Sequence, residues 1–515
     1  MNEKRLCISI CAGTARQFID NVRRAAERAD VIELRLDCID PAETDRLWSQ
    51  LKDVRSSFSG KLLATYRPRG QGGLSEATVE QRHLFWRDSK VYEFVDWADF
   101  EHDLAVNNWG QSDAAFGQLI HSFHDFHGVP ENLELIYAQL SQKALDKYPN
   151  KHPGVVKIVT YADDATDALP VWELLNKANR DGLPFVPIAM GEAGKWTRIL
   201  GPAHGAFMTY ASLDLGLATA PGQISASDLL DSYHVKNIDR DTGVYGIVAG
   251  NTAYSMSPFI HNAAFKAAGS NAVFVPFQVI DLDQFFGRMV NAGSREIDLN
   301  IKGFAVTNPH KQCVIRHLDH VDKTAAAIGA VNTVKIEDNK TYGFNTDADG
   351  FIIPLKEKLA DLKGAKVAVV GAGGAARACI YALVRESASV TIFARNTERS
   401  IGLANEFDTG LERLTLDTDL RKFDVVVNAT PLGVRGDRES ESIAFADQLA
   451  GVKVVYDLTY NPVETVLTRE AKAAGAAVIG GLDMLIGQAA DQFKIWMGID
   501  APIDTMRSVV VAKIT

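Results

Sequence analysis

One unit recurs through the first part of the chain: a short apolar strand, a loop and a helical stretch. Candidate strands fall at 6–10, 31–37, 61–67, 94–101, 118–124, 155–161, 184–190 and 206–213. Between the first two, Phe18, Ile19, Val22, Ala25 and Ala26 share one helical face. Eight such βα units within residues 1–225 predict an α/β fold that closes into a (β/α)8 TIM barrel. An open doubly wound sheet is the competing architecture.

The polar stretch 226–242 is expected to be a helix and linker. A second α/β region follows, with strands expected at 244–248, 272–277, 303–307 and 330–336. A third has strands at 367–370, 390–394, 425–429 and 454–458. A helix at 484–497 is expected to return to the second region. The organisation predicted is a barrel over 1–225, a substrate domain built from 243–346 and 484–515, and a Rossmann-like nucleotide domain over 347–483.

The net charge of −11 argues against a general nucleic-acid binder, which needs a basic surface. Local arginines and lysines still suffice for a small anion. The five cysteines, Cys7, Cys11, Cys38, Cys313 and Cys379, are odd in number and contain no CxxC pair. Neither a disulfide framework nor a structural zinc site is expected, and a reducing, cytoplasmic compartment fits. The amino-terminal residues lack the apolar run of a signal peptide. The apolar stretch 367–384 is interrupted by Gly371, Gly373, Gly374 and Arg377, which fits strand, turn and helix rather than a membrane span. A monomer acting on small molecules, without membrane or nucleic acid, is the expected state.

In such a barrel the carboxyl ends of the strands converge on one mouth. Those ends carry Glu33, Arg35 and Asp37, then Arg67, Glu101, His124 and Lys157. Arg198 follows the seventh strand, and Thr219 and Gln223 lie in the eighth loop. Lys157 sits between apolar residues in VVKIVTY, where burial disfavours its ammonium form. A lysine that is neutral part of the time can attack a ketone and form a Schiff base. A histidine held by a carboxylate can move protons beside it. This set suits β-elimination of water from a hydroxyketone. His121, off by one in the alternation, is expected to pack or face solvent.

The segments ELRLD (33–37), SFHDF (122–126), VVKIVTYA (155–162), MGEAGKWTRILG (190–201) and TAPGQIS (219–225) resemble type I 3-dehydroquinate dehydratases, in the family's order. The resemblance implies that Lys157 forms the imine and that His124, oriented by Glu101, is the general acid and base. It implies that Arg198 binds the substrate carboxylate, with Glu33, Arg35, Arg67, Thr219 and Gln223 holding hydroxyls and carboxylate. Two positions depart from the family pattern: Gln71 stands where Glu is frequent, and Thr219 where Ser is.

The strongest local motif is VAVVGAGGAARA (367–378), a strand running into a glycine turn that opens a helix. Gly371 permits the turn, Gly373 lets the backbone approach a pyrophosphate, and the helix amino terminus attracts it. The next strand ends in Arg395 and Arg399 rather than an acidic residue, which suits the 2′-phosphate of NADP. Upstream, GFAVTNPHK (303–311) supplies Lys311 and GFNTDADG (343–350) supplies Asp347, a pair able to shuttle a proton as hydride moves. YSMSP (254–258) offers Ser255 and Ser257 to a carboxylate.

With NATPLG (428–433), DLTYNP (457–462) and GGLDMLIGQAADQF (480–493), these segments resemble shikimate dehydrogenases. The resemblance implies Lys311 and Asp347 as the catalytic pair, and Ser255, Ser257, Thr307, Asn332, Tyr460 and Gln488 around the substrate. It implies NADP(H) held by Gly371, Ala372, Gly373, Gly374, Ala375, Arg395, Asn396, Thr397, Arg399 and Thr430. Tyr254, Ala305 and an inserted asparagine in the ribose loop depart from the family pattern. The two resemblances name consecutive reactions and require no metal. Two rival readings remain at this stage: a quinate dehydrogenase in the second half, or a binding protein made of inactive copies.

Overall fold

The computed structural model describes residues 3–88, 90–106, 116–145 and 153–514. Two compact units divide the chain. The first holds Met1–Gly243, Asn251–Ala253 and Val275–Asn300; the second holds Val244–Gly250, Tyr254–Phe274 and Ile301–Thr515.

The first unit is built on eight parallel strands: β1 (Arg5–Ile10), β2 (Val31–Arg35), β3 (Lys61–Thr65), β4 (Trp97–Glu101), β5 (Gln118–His124), β6 (Val155–Tyr161), β7 (Phe185–Met190) and β8 (Met208–Ser212). They lie side by side in chain order, and β8 returns to pair with β1. This is the order of a (β/α)8 barrel. At the β7–β8 seam the backbone N–H of Phe207 donates to the carbonyl of Phe185 at 2.8 Å. A short β9 (Ile224–Ser225) adds to the outer side of β8. Residues 226–242, expected as a polar linker, bury Leu229, Tyr233, Val235 and Ile238 within this unit.

Cys11 and Cys38 form a disulfide, a correction to the expectation that the cysteines build no disulfide framework. Cys11 follows β1 and Cys38 lies three residues beyond β2. The parallel pairing of these strands brings the two Cα atoms to 5.4 Å across 27 residues of sequence. Cys7 and Cys379 remain buried thiols and Cys313 an exposed one.

Two further sheets follow along the chain. One is mixed, with β10 (Gly243–Ala249), β11 (Ala272–Gln278), β12 (Ile301–Val306), β13 (His320–Val321), β14 (Thr333–Glu337) and β15 (Lys340–Phe344) in the order β11-β10-β12-β14-β15-β13. The other is wholly parallel: β16 (Lys366–Val370), β17 (Ser389–Ala394), β18 (Gly410–Arg413), β19 (Val425–Asn428), β20 (Val454–Asp457) and β21 (Ala477–Gly480), in the order β18-β17-β16-β19-β20-β21. The order reverses at β16, so its carboxyl end opens a crevice at the switch point. Apolar clusters cover both faces of this sheet, as a parallel sheet requires. The helix Gly481–Met497 returns to the mixed sheet, where the Trp496 indole N–H donates to the carbonyl of Val334 at 3.0 Å. No helix among the described residues is long and apolar enough to cross a membrane.

Two candidate active sites

Side chains two apart on a strand face the same way, and in the barrel that alternation stacks layers. Val31, Leu63, Trp97, Ile120, Val155 and Val186 belong to an apolar plug. Two residues further along, the same strands place Glu33, Thr65, Asp99, Ser122 and Lys157, all buried. Two residues beyond those come Arg35, Arg67, Glu101 and His124. Apolar packing therefore shields one side of a polar layer that opens toward the mouth.

Lys157 Nζ lies 3.2 Å from Asp99 Oδ2 and 3.9 Å from Glu33 Oε1, and sits 3.9 Å above the centre of the Tyr210 ring. Glu33 is held by the hydroxyls of Ser9 at 2.5 Å and Thr65 at 2.9 Å. Arg67 donates to Asp99 Oδ2 at 2.8 Å and to Ser122 Oγ at 2.8 Å, and it meets His124 Nδ1 at 3.2 Å. A guanidinium only donates, so Nδ1 accepts and the neutral ring carries its proton on Nε2. Burial holds the imidazole well below its usual range, and Arg67, Lys157, Arg35 and Arg198 push the same way.

The structure does not bring Glu101 to His124. Glu101 Oε2 accepts from Arg82 Nη1 at 2.9 Å, and Oε1 lies 3.5 Å from Arg67 Nη1. Burial, aided by Asp99, pushes the Glu101 carboxyl up to about 7 against the pull of Arg67 and Arg82. Asp99 itself was missed in the sequence. It stands two residues before Glu101 in WADFE, so strand alternation alone would have aimed it into the same interior. Arg67 and Lys157 hold its carboxyl down at about 2, against burial.

The barrel residues predicted from the sequence, except Asp37 and Glu101, line one cavity of about 430 Å³, together with Gln71 and Tyr210. Arg35 is fixed by Asp37 through two bonds of 2.9 and 2.8 Å. The Thr219 N–H donates to Gln223 Oε1 at 2.7 Å. Arg198 differs from its neighbours. It is 2 % exposed, its Nε has no partner, and burial alone brings it down to about 10. A buried cation without a counter-ion is costly, so this side chain is poised for an anion from outside.

In the second unit, Lys311 Nζ meets Asp347 Oδ2 at 2.5 Å. Asp347 opens the helix Asp347–Lys358, and its Oδ1 accepts from Asn332 Nδ2 at 2.9 Å. Asn332 also donates to Thr346 Oγ1, whose own hydroxyl donates to the backbone carbonyl of Gln488 at 3.0 Å. Lys311, Asp347, Asn332 and Gln488 thus form one connected group. The other predicted substrate contacts make hydrogen bonds outside this group. Ser255 Oγ accepts from the Ser257 N–H at 3.2 Å, the Thr307 N–H donates to Val248, and the Tyr460 hydroxyl faces the carbonyl of Tyr254 at 3.5 Å.

The glycine turn after β16 has the features a dinucleotide needs. Gly371 has φ +122°, and a Cβ there would lie 2.8 Å from the carbonyl oxygen of Ala429. A Cβ on Gly373 would meet nothing within 4 Å. The helix Gly374–Arg385 has no side-chain cap, so no capping side chain competes for its first N–H groups. A Cβ on Gly374 would lie 3.1 Å from Lys311 Cδ, so the turn runs directly against the Lys311 side chain. Ala375 and Thr430 line a neighbouring cavity of about 980 Å³ with Tyr254 and Tyr460. Arg395 and Arg399 are exposed, while Asn396 caps the helix Thr397–Glu406 by accepting from the Arg399 N–H. The cradle, the open helix end and the two arginines fit the diphosphate and 2′-phosphate of NADP.

Comparison with known proteins matches both halves of the chain. The model of type I 3-dehydroquinase matches residues 6–240. Models of the shikimate dehydrogenase substrate-binding domain, shikimate/quinate 5-dehydrogenase and the shikimate 5′-dehydrogenase C-terminal domain match 247–334, 355–433 and 481–511. The chloroplastic bifunctional 3-dehydroquinate dehydratase/shikimate dehydrogenase of Arabidopsis thaliana is 32% identical over 97% of this chain and 83% of its own. This chain belongs to that bifunctional family. Its second half is also 41% identical to the NADP(+) shikimate dehydrogenase of Methanocaldococcus jannaschii, over 54% of this chain and 99% of that one. A crystal structure of a shikimate dehydrogenase in complex with NADP+ superposes with a TM-score of 0.50, at 40% identity, over 54% of this chain and 98% of the other. The bifunctional enzyme is therefore a lyase joined to an NADP-dependent oxidoreductase. It dehydrates 3-dehydroquinate and reduces the product, 3-dehydroshikimate, to shikimate.

Proposed function

We propose that Lys157 forms the Schiff base of the dehydratase step and that His124 moves its protons. The observation that carries this is the shared cavity: an otherwise enclosed lysine, a neutral histidine and a buried arginine lacking an anion all line it. Arg198 takes the substrate carboxylate, which orients the ring carbonyl toward Lys157 Nζ. Glu33, Arg35, Arg67, Thr219 and Gln223 hold the hydroxyls and carboxylate. Amine addition makes the C–N bond, and water leaves with the carbonyl oxygen. The carbon beside the imine then loses a proton, and the β-hydroxyl departs with a proton given by His124. Glu101 acts on His124 through Arg67 rather than by contact.

In the second unit, Lys311 gives a proton to the carbonyl oxygen as it becomes a hydroxyl. Asp347, fixed by Asn332, holds Lys311 and the hydroxyl in place. NADPH, when bound, supplies the hydride. Ser255 and Ser257 hold the substrate carboxylate, and Thr307, Tyr460 and Gln488 complete its surroundings. Gly371, Ala372, Gly373, Gly374 and Ala375 hold the diphosphate, with Thr430 beside it. Arg395, Asn396, Thr397 and Arg399 hold the ribose phosphate.

The module boundaries proposed are a barrel, a substrate domain of 243–346 with 484–515, and a nucleotide domain of 347–483. The proposed setting is a cytoplasmic monomer that binds no nucleic acid. The acidic net charge supports the absence of nucleic-acid binding. The test is Lys157→Ala and Lys311→Ala, each assayed for both steps. Each is expected to lower its own step by a factor of about 10²–10⁴ and leave the other within about twofold. Loss of both steps in either variant, or of neither, overturns the assignment.

A further inference from the structure

We propose that Asp99 is the positioning residue for Lys157 and the fixed counter-ion of its imine. The inference rests on the Schiff-base reading of Lys157 and deepens it. Lys157 Nζ lies 3.2 Å from Asp99 Oδ2. An ammonium and a ketone give an iminium and water: the C–N bonds form, the carbonyl oxygen leaves with two of the nitrogen's protons, and the nitrogen carries one positive charge before and after. The nitrogen carries that charge as the iminium forms and again once the β-hydroxyl has left, and is neutral only as the enamine between those steps; beneath it lies a mostly apolar layer. A buried charge needs a partner that does not move away when the bonding changes.

Asp99 meets that condition better than any other group near Nζ. It is wholly buried, so water does not take its place. Both of its oxygens are tied: Oδ1 accepts from the Ser122 hydroxyl, and Oδ2 from Arg67 at 2.8 Å. Glu33 is the other carboxylate in range, at 3.9 Å, and the Ser9 and Thr65 hydroxyls hold it back on β1 and β3. The Tyr210 ring covers another side of Nζ at 3.9 Å and adds a weaker attraction of the same sign. Asp99 on β4, Ser122 on β5 and Lys157 on β6 are consecutive around the barrel, so the strand ladder itself sets the geometry. A carboxylate held this way aims Nζ along one direction, toward the cavity where Arg198 places the carbonyl.

The experiment uses the full chain carrying Asp99→Asn, which keeps the shape and removes the charge. Three quantities are measured: kcat and KM for 3-dehydroquinate, the fraction of chains trapped on Lys157 by borohydride at steady state, and NADPH-dependent reduction of added 3-dehydroshikimate. Expected results are a kcat lower by about 10–100-fold, KM within about threefold, and a trapped fraction at least about fivefold lower. Reduction of 3-dehydroshikimate is expected to be unchanged. A variant with wild-type kcat and wild-type trapping overturns the proposal. Equal losses in KM and kcat with normal trapping also overturn it, because they mark a merely structural role. Should Asp99→Asn fail to fold, Ser122→Ala frees one oxygen of Asp99 while leaving its charge. It is expected to lower kcat and trapping together by about three- to tenfold, and unchanged values of both overturn the proposal. If the wild-type chain is not trapped on Lys157 at all, the Schiff-base reading fails, and the role of Asp99 falls with it.

Discussion

Two glycines of the same turn are expected to respond to alanine in opposite ways. Gly371 occupies φ +122°, where a residue bearing a side chain pays about 1–3 kcal/mol. Its added Cβ would lie 2.8 Å from the carbonyl oxygen of Ala429, in a segment anchored by the Ala429 N–H to Val370. The backbone has little room to give, so the combined penalty for Gly371→Ala is about 2–4 kcal/mol. At about 2–4 °C per kcal/mol, the unfolding transition of the dehydrogenase part should fall by roughly 5–15 °C. Gly373 has φ −86°, and its Cβ would enter open space. Gly373→Ala should therefore change stability by less than about 0.5 kcal/mol. It should still weaken NADPH by about 10–100-fold, because the methyl group enters the space where the pyrophosphate approaches. Calorimetry and NADPH fluorescence titration separate the two effects, with dehydratase activity as internal control. Equal destabilisation by both substitutions, or tight NADPH binding by Gly373→Ala, would refute the reasoning.

Two further outcomes follow from the sites. Glu101 is raised from 4.5 to about 7, so the stability it contributes is complete below the unfolded carboxyl range and lost as pH rises through about 7. That loss is about 3 kcal/mol, and Glu101→Gln should flatten stability against pH between about 5 and 8, read by urea unfolding at several pH values. Arg395→Ala combined with Arg399→Ala should raise the Kd of NADP+ by about 10–100-fold and leave NAD+ within about twofold, measured by titration calorimetry. Equal loss for both nucleotides would show that these arginines do not grip the 2′-phosphate.

What the sequence disclosed, and what it hid, divides along strand register. Alternation within each strand was legible, so Lys157, His124, Glu33 and Arg67 could be aimed at one interior. Which residues meet across strands was not. Glu101 pairs in register with Ser122 rather than His124, because the strands step past one another around the barrel. The carboxylate expected on His124 is therefore on Arg82 and Arg67. Asp99 is masked in the sequence by Glu101, which stands two residues nearer the carboxyl end of the same strand. Counting cysteines gave no information on distance, and Cys11 and Cys38 meet because β1 and β2 are neighbours. In the second unit, Lys311, Asp347 and the glycine turn were legible as local segments. The link from Asn332 through Thr346 to Gln488 depends on a helix returning from far along the chain. Asn396, expected at the nucleotide, already serves as a helix cap.

The most direct test of a two-step enzyme is to give the purified chain 3-dehydroquinate and NADPH alone and follow both by NMR and absorbance. The account predicts transient 3-dehydroshikimate, then shikimate, with one NADPH consumed per shikimate formed. Dehydration that proceeds while NADPH stays untouched, even after 3-dehydroshikimate is added, would contradict it and direct attention to quinate with NAD as the second unit's substrates.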